Sequence, residues 1–346
     1  MPIGPEVAVI VGAYNRRRYL PSAVRSVLAQ TIARERYELV VVKNFRSATE
    51  DEQLEEAGAI VMFDEEPRIG RWLRHAIEVS TAPLLTFCDD DDELEPGRLE
   101  RLLEVFRDHP DVGFYRNRVN VIDAEDRMIP QAEWRVHELD PGFDSLGPVY
   151  RARDQKSDLL ELATERTHAT FGTSTMALRR ELLEGDLGDA FERTQLEDLF
   201  LFLTGVLSPC AVYLDDRRLT RYRFYAGNVT HTVRWLGHAA ESEQDMATVA
   251  TRYGRPDFAR WLTARSVNHE RLYEGGMIVD RAASGAPRSE VARRTAHYLR
   301  FLEQHPEERA WNLDTWAAGV YGISYVAAPA LTRRVARARI AARAVT

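Results

Sequence analysis

LLTFCDDDDEL, residues 84–94, joins an uncharged apolar run to four consecutive aspartates. The run Leu84 to Cys88 is typical of a strand buried on both faces of a parallel sheet. The carboxylates that follow, Asp89 to Asp92, repel one another unless a cation lies among them. Ligand sites of open α/β sheets lie outside the carboxyl ends of the strands, and carboxylate oxygens suit Mg²⁺ or Mn²⁺. The stretch therefore predicts either a metal and phosphate site or a solvated acidic turn.

The composition excludes some classes of protein. A chain of 346 residues is long enough for two domains, or for one α/β domain with an appendage. A net charge of -8 argues against a general nucleic-acid binder. Cys88 and Cys210 lie in apolar surroundings and are predicted to be buried thiols, as in a reducing cytosol. Met1 to Glu6 has neither a basic head nor an apolar leader, so we expect no signal peptide and a cytoplasmic location.

Strands and helices alternate with short links up to the aspartates, which predicts a mostly parallel sheet flanked by helices. The predicted strands are Val7–Val11, Glu38–Val42, Ala59–Phe63 and Leu84–Cys88, and the predicted helices are Tyr19–Gln30, Glu50–Ala57 and Ile69–Val79.

The pattern is more varied after the aspartates. Ile129–Asp158 has little periodicity and is predicted to be a long loop, a kind of segment that is usually functional or mobile. The predicted strands are Val112–Tyr115, Asn117–Ile122, Gly172–Leu178, Ala211–Leu214 and Thr220–Phe224, and the predicted helices are Leu99–Phe106, Ser157–Thr164 and Gln195–Leu207.

No strand is predicted beyond about Trp235. We therefore divide the chain near residue 232, into an α/β body with halves 1–115 and 116–232 and a helical extension over 233–346. The predicted helices of the extension are Gly237–Tyr253, Asp257–Tyr273, Arg288–Gln304 and Trp311–Arg343.

Several motifs occur in an informative order. They are VAVIVGAYNRRRYLPSAVRSVLAQT (7–31), APLLTFCDDDDELEPGRLERLLEVF (82–106), VGFYRNRVNVIDAEDRMI (112–129), FGTSTMALRRELL (171–183) with FERTQLEDLFLFL (191–203), and LTRYRFYAGNVT (219–230). In this order, over about residues 7–232, the chain resembles glycosyltransferase family 2. The resemblance implies a GT-A fold with a nucleotide-sugar-binding half followed by an acceptor-binding half.

The resemblance also implies a reaction. It is inverting transfer by single displacement, from a nucleoside-diphosphate sugar to a glycan, lipid-linked or small-molecule hydroxyl acceptor. A divalent cation, Mn²⁺ or Mg²⁺, would neutralise the charge that develops on the leaving diphosphate. On this interpretation Asp91 is the metal ligand, Asp89 and Asp90 are directed at the ribose or at metal-bound waters, and Asp92 is structural.

The donor-binding residues that the resemblance implies follow the first strand and precede the aspartates. Ala13, Tyr14 and Asn15 would face the donor, with Tyr14 stacking on the nucleobase, although core packing is an alternative for an aromatic at this place. Arg71 or Arg74 fits a diphosphate contact, and for each of them a solvated helix face is the alternative.

The catalytic base implied by the resemblance is Asp198. An inverting transfer needs a carboxylate that takes the proton of the attacking hydroxyl. Glu197 and Asp198 precede an apolar run at a predicted helix entrance, where the dipole favours negative charge. Glu197 would orient its neighbour or the acceptor. The alternative is an ordinary acidic helix N-terminus.

The chain departs from the family pattern at two places. Lys43-Asn44 replaces an Asp pair at the end of the second strand. Asn44 can still bond a base edge, but the missing carboxylate leaves the nucleotide open. In the closing motif Tyr225 stands where a metal-binding His is common. His231 is an alternative ligand or a lone histidine of a polar loop.

The C-terminal segment combines an uncharged stretch with a basic one. Thr315–Thr332 contains no charged residue, but its glycines and Pro329 make it a poor membrane-spanning helix. Peripheral membrane contact is one interpretation, and a helix packed on the body or on a second copy in a homo-oligomer is the other. The arginines that follow are Arg333, Arg334, Arg337, Arg339 and Arg343.

Two other functions remain open. A sugar-1-phosphate nucleotidyltransferase would need a Gly-rich basic loop after the first strand, whereas GAYNRRRYL has one glycine. A non-catalytic nucleotide-sugar or glycan binding protein of the same fold would bind without turnover.

Overall fold

The structure is a computed structural model that describes residues 4–130, 147–162, 164, 170–225, 233–305, 313–330, 332–333 and 335. The chain divides into two compact units. The α/β unit comprises Met1–Asn228 and Thr248–Phe258, and the helical unit comprises Val229–Ala247 and Ala259–Thr346.

The strands of the α/β unit are β1 (Val7–Ala13), β2 (Tyr37–Lys43), β3 (Ile60–Phe63), β4 (Leu84–Asp89), β5 (Glu93–Leu94), β6 (Val112–Ile122), β7 (Val149–Arg151), β8 (Met176–Arg179) and β9 (Ala211–Arg223). Its helices are α1 (Leu20–Leu28), α2 (Ala48–Glu56), α3 (Ile69–Glu78), α4 (Arg98–Asp108), α5 (Gly185–Phe191) and α6 (Glu197–Leu207).

These strands form one sheet in the order β3-β2-β1-β4-β8-β6-β9-β5, and β7 pairs with β9. The pairs among β1, β2, β3 and β4 are parallel, as is β6 with β9. Strand β8 is antiparallel to both β4 and β6 and therefore joins the two parallel groups. The predicted α/β class is confirmed, with a mostly parallel N-terminal half.

The core explains why β1 has no polar residue. Val7, Val9 and Val11 pack into a cluster that includes Val24 and Val27 of α1. Because helices cover both faces of a parallel sheet, strand residues on either face are removed from water. Burial on both faces explains why every residue of this strand is apolar.

The register brings three strand ends together. Gly12 of β1 lies beside Asp89 of β4, and Ala13 lies beside Lys43 of β2. Gly12 is required at this position because a Cβ atom there would lie 2.2 Å from the indole of Trp72. The candidate site is therefore built at the carboxyl edge of the sheet.

Two predicted pairs of strands are single long strands. We predicted breaks before Asn117 and before Thr220, but β6 and β9 run through both positions. The polar residues of β6 are buried with partners: Asn117 accepts from Arg98 Nε (2.9 Å) and donates to Thr220 Oγ1 (2.9 Å). The polar residues in the middle of β6 therefore belong to an internal hydrogen-bond network and do not form a turn.

The predicted strand Gly172–Leu178 begins later than expected, at Met176. Thr173–Thr175 forms a 3₁₀ turn instead, and Gly172 has a φ of +84°. Of the predicted Ile129–Asp158 loop, the described part contains β7 and a 3₁₀ segment, Arg153–Asp158. Residues 131–146 lie outside the described residues.

The C-terminal helices are α7 (Val233–Arg252), α8 (Pro256–Ser284), α9 (Arg288–Gln304) and α10 (Leu313–Ala327). Within the helical unit, α8 continues past its predicted end at Tyr273 through Gly275 and Gly276. These glycines permit close helix packing, because a Cβ on Gly276 would lie 2.9 Å from Val233. Among the helices described, none combines the length and apolarity needed to cross a bilayer.

Candidate active site

The aspartates at the end of β4 form a tight turn held by backbone contacts. The Asp90 N–H donates to the Gly12 carbonyl (3.2 Å), and the Asp92 N–H donates to the Asp89 carbonyl (3.1 Å). The Asp89 N–H donates to Ser174 Oγ (2.9 Å). The turn is thus fixed between β1 and the segment that precedes β8.

Arg16 is the cation among these carboxylates. It lies in the loop after β1, and its guanidinium pairs with Asp90 and donates to Asp91 Oδ2 (2.5 Å). The same Oδ2 accepts from the Tyr225 hydroxyl (3.2 Å). Burial lowers the pKa of Arg16, but Asp91, Asp90 and Asp89 outweigh that effect and raise it overall. The arginine is therefore firmly charged.

Asp90 is incompletely satisfied. Its side chain is 1% exposed, and neither carboxylate oxygen makes a hydrogen bond within the described part of the chain. The ion pair with Arg16 supplies charge to one of these oxygens. Because a buried carboxylate without hydrogen bonds is costly, Asp90 is suited to a bound cation or to donor groups of a ligand.

The carboxylates resist ionisation. Burial raises the pKa of Asp89 to about 7, with Asp91 adding to the effect and Arg16 opposing it. Burial likewise raises the pKa of Asp90 to about 8, and raises that of Asp92 well above its usual range. One arginine does not balance this much negative charge, so an additional cation would be stabilised here.

Asp92 is held by the buried side of the site. Its Oδ1 accepts from the backbone N–H of Arg223 (3.0 Å). The Arg223 guanidinium, which is fully buried, donates to the Asp91 carbonyl (2.8 Å) and pairs with Glu93 (3.2 Å). These contacts agree with a structural role for Asp92, which remains a prediction, and they make Arg223 the residue that shapes the turn.

Glu197 and Asp198 begin α6. Asp198 Oδ2 accepts from the N–H of Gly172 (3.1 Å), and Oδ1 accepts from the N–H of Leu199 (2.7 Å). Glu197 accepts from Thr173 Oγ1 (3.2 Å). Burial and the neighbouring Asp198 raise the pKa of Glu197 well above its usual range.

One turn links the two acidic groups. Gly172 and Thr173 contact the acids of α6, and Ser174, the next residue, contacts Asp89 at the end of β4. Asp198 is close enough to Asp89 to help raise its pKa. The structure therefore brings together two carboxylate groups that are more than a hundred residues apart in sequence.

The donor-side residues after β1 and β2 are clasped to each other. The Asn15 N–H donates to Asn44 Oδ1 (2.7 Å), and Asn44 Nδ2 donates to Asn15 Oδ1 (2.9 Å). Asn15 has a φ of +58°, which Asn tolerates better than most residues. Ala13 is buried and Tyr14 is half-buried at the same edge.

Lys43 does not point its charge at the donor edge. Its side chain is 1% exposed and forms ion pairs with Asp51 and, at 4.0 Å, with Glu50 of α2. It also lies 4.8 Å from the ring centroid of Phe45. Replacement of an acid by lysine here is thus compensated by the acids that begin α2.

Arg71 and Arg74 make their contacts elsewhere. Arg74 donates to the Leu183 carbonyl and to Glu78 (3.1 Å). Arg71 pairs with Glu66 (3.7 Å) and is half exposed. The arginine that sequence reasoning missed is Arg16, which was visible in GAYNRRRYL. The signal that could have found it is the need of a buried acidic run for a nearby cation.

The residues present fit a metal only in part. Within the described residues, no group of three or more His, Cys, Asp or Glu side chains is arranged to hold one. His231 lies outside the described residues. Mg²⁺, however, is commonly bound by one or two carboxylates plus substrate phosphates. Asp91, with Asp90 beside it, fits such a shared site and does not form a closed protein cage.

The fold defines the class. It matches the crystal structure of S. aureus TarS in complex with UDP-GlcNAc with a TM-score of 0.58 and 13% identity, over 92% of this chain and 91% of that one. A second TarS structure matches with a TM-score of 0.53 and 14% identity, over 92% and 90% of the chains. The predicted GT-A glycosyltransferase fold with C-terminal helices is confirmed.

The family follows from the sequence: the chain belongs to glycosyl transferase family 2, whose model matches residues 8–185. An uncharacterized glycosyltransferase of Nostoc sp. is 30% identical over 185 residues, 52% of this chain and 52% of the relative. An uncharacterized protein of Mycobacterium tuberculosis is 30% identical over 149 residues, 39% and 43% of the two. The chain thus spans about half the length of these curated relatives.

Proposed function

We propose that this glycosyltransferase is a metal-dependent inverting enzyme that moves a sugar from a nucleoside-diphosphate sugar to a hydroxyl acceptor by single displacement. The observation that supports this most is the turn Gly172–Ser174, which contacts both the donor-side carboxylate Asp89 and the acids Glu197 and Asp198. A sugar transfer needs these two groups on either side of one anomeric carbon.

On the donor side, Asp91 would bind the divalent cation together with the diphosphate, and Asp89 and Asp90 would face the ribose or the metal waters. When bound, the cation would supply charge neutralisation at the leaving diphosphate. Asp90, buried without a hydrogen bond, is the group with most to gain from that ligand.

On the acceptor side, Asp198 would take the proton. The acceptor oxygen forms its bond to the anomeric carbon while the bond from that carbon to the diphosphate oxygen breaks, and the hydroxyl proton passes to the Asp198 carboxylate. The backbone N–H groups of Gly172 and Leu199 hold that carboxylate in place. Glu197, with its raised pKa, would stay protonated and orient the acceptor.

The nucleotide is proposed from two observations. The matched TarS structure contains UDP-GlcNAc, so uridine diphosphate sugars are the first donors to test. Asn44 is engaged with Asn15, and Lys43-Asn44 replaces the acidic pair at the end of β2, so we expect weaker uracil discrimination than a carboxylate there would give. Ala13, Tyr14, Asn15 and Asn44 remain the proposed base-side residues.

The test is a thermal-shift screen of UDP, dTDP, GDP and ADP, each with and without Mn²⁺, followed by turnover of the sugar donors of the best nucleotide. A ligand at one hundred times its Kd stabilises by about 2.7 kcal/mol. No shift with any nucleoside diphosphate would overturn the proposal. Mn²⁺-dependent binding without turnover would favour the non-catalytic binding protein. Release of pyrophosphate from a nucleoside triphosphate in the presence of a sugar 1-phosphate would favour the nucleotidyltransferase.

A membrane or a second copy is the proposed partner of the helical unit. Val320, Ile323 and Val326 of α10 are 59%, 58% and 38% exposed, and their spacing puts them on one helix face. Arginines follow in the sequence. An apolar ridge that is followed in the sequence by arginines fits the surface of an anionic membrane, so we propose a cytoplasmic enzyme with peripheral membrane contact.

A further inference from the structure

Arg16 occupies the place where a bound cation would be expected. Its guanidinium pairs with Asp90 and lies 2.5 Å from Asp91 Oδ2. Neither aspartate is more than 6% exposed. The guanidinium offsets one of these two negative charges, so Arg16 supplies part of the neutralisation that a bound cation would give.

Tyr225 completes the arrangement. It stands where the family resemblance leads one to expect a metal-binding histidine, and its hydroxyl donates to Asp91 Oδ2 (3.2 Å). The Arg16 guanidinium is 3.4 Å from the same hydroxyl. The Tyr225 hydroxyl and Arg16 both donate to Asp91 Oδ2, so the phenol helps Arg16 to hold this carboxylate. A histidine here would instead have offered a nitrogen ligand to the metal.

We propose that Arg16 is an internal counter-ion that competes with the divalent cation for Asp90 and Asp91. This rests on the proposed function only for the role of the cation. A guanidinium and a divalent ion bound to the same oxygens repel each other at such distances. Occupation by one therefore weakens binding of the other.

The structure allows Arg16 to leave without a backbone change. Its side chain is 32% exposed, and the Asn15–Asn44 clasp holds the adjacent backbone. Rotation of the side chain would free Asp90 and Asp91 and leave an arginine at the rim, available to the diphosphate that arrives with the metal. Free enzyme should then bind Mn²⁺ weakly, because only the fraction with Arg16 displaced can accept the ion.

The experiment is calorimetric titration of Mn²⁺ alone into the full chain, with no nucleotide. Arg16→Gln should bind Mn²⁺ at least about tenfold more tightly than wild type, within the usual range of coupling between two sites. Arg17→Gln is the matched control, since Arg17 lies over Phe45 and donates to the Arg46 carbonyl. The gain should vanish in Arg16→Gln with Asp91→Asn.

Equal or weaker Mn²⁺ affinity in folded Arg16→Gln, including no binding by either protein, overturns the proposal. If loss of the charge prevents folding, Arg16→Lys replaces it: lysine cannot bridge two carboxylates as a planar fork does, so an intermediate gain is expected and no gain overturns the proposal. Failure of the proposed function appears differently, as absence of sugar transfer in wild type, because the titration uses neither donor nor acceptor.

Discussion

At the scale of single residues, the site is a problem of charge. Burial raises the pKa values of Asp89 and Asp90, the neighbouring carboxylates add to the effect, and Arg16 opposes it. Neighbouring aspartates are nevertheless not equivalent. Asp91 faces Arg16 and Tyr225, whereas Asp92 accepts from the backbone of Arg223. We therefore expect substitution of Asp91 to affect function and substitution of Asp92 to affect stability.

Asp91→Ala should abolish the Mn²⁺-dependent part of nucleotide binding with a small effect on folding. Asp92→Ala should instead lower the free energy of unfolding by about 1–3 kcal/mol, the usual cost of a buried donor left without its acceptor. Calorimetry of UDP with and without Mn²⁺, together with urea unfolding of both variants, measures the two effects. Unchanged metal-dependent binding in Asp91→Ala would remove Asp91 from the proposed metal site.

Asp198→Asn should reduce transfer by about 10²–10⁴, the scale of a positioned base, while donor affinity stays within a few fold. The amide oxygen can still accept one of the two N–H bonds made by Asp198, so the entrance of α6 should persist. Single-turnover transfer beside donor titration separates the two effects. Glu197→Gln is the comparison and should cost less, since burial and Asp198 raise the pKa of Glu197 and make it the poorer proton acceptor of the two. If Asp198→Asn transfers sugar at the wild-type rate, Asp198 is not the catalytic base.

At the scale of elements, helix α6 is held at both ends. Its N-terminus carries the acids of the site, and its C-terminal carbonyls accept from Lys156. The buried ammonium lies 2.7 Å from the Gly205 carbonyl and 2.9 Å from the Ser208 carbonyl. A cation at a helix C-terminus interacts favourably with the helix dipole. Lys156 therefore fixes the helix that positions Asp198 without touching the reaction.

Lys156 should make stability depend on pH. Burial lowers its pKa from 10.5 to about 8; Arg255 and Arg153 act in the same direction and Cys210 opposes them. Below pH 8 the lysine is protonated in both states. Between pH 8 and 10.5 only the unfolded chain holds the proton, so the wild-type free energy of unfolding should rise with pH relative to Lys156→Met.

Urea unfolding at several pH values measures this difference. Lys156→Arg is the matched control, because an arginine keeps its charge throughout the range and should show no gain over Lys156→Met. A pH-independent difference between wild type and Lys156→Met would contradict the assignment.

At the scale of the whole molecule, the two units have different kinds of surface. The α/β unit buries the carboxylates of its site, whereas the helical unit exposes the apolar ridge of α10. The described core cluster of the helical unit contains Ile278, Tyr298 and Tyr325 and none of the three ridge residues. The exposed part of this ridge is available to a surface outside the chain.

Val320→Glu with Ile323→Glu should reduce sedimentation of the protein with vesicles of anionic phospholipid by at least about tenfold, because each charge opposes both insertion and the lipid surface. Vesicles of neutral phospholipid test the part played by the arginines. Val79→Glu, an exposed valine of the α/β unit at 41% exposure, is the control. Binding that survives the double substitution, or is equal for neutral vesicles, contradicts the proposal, and a change of oligomeric state instead would assign the ridge to a second copy.

The sequence by itself determined the features that depend on local patterns of residues, namely the strands, the helices and the fold class that they define. Buried strands appear in the sequence as continuous apolar runs, and helices appear as apolar residues at helical spacing. The four aspartates and the Glu197-Asp198 pair stand at the ends of such elements. From these patterns the fold class and the family could be inferred. Such patterns record how much of each segment is removed from water, and that quantity is local.

What only the tertiary structure decided is which side chains meet. Arg16 donates to Asp91, 75 residues further along the chain, and Lys156 donates to carbonyls at the end of α6. Lys43 forms an ion pair with Asp51 of α2 and does not face the donor edge. The polar residues of β6 suggested a break because sequence does not reveal that Arg98 and Thr220 satisfy Asn117. Pairing of buried charges depends on distances of a few ångströms between distant segments, and the packed sheet sets those distances.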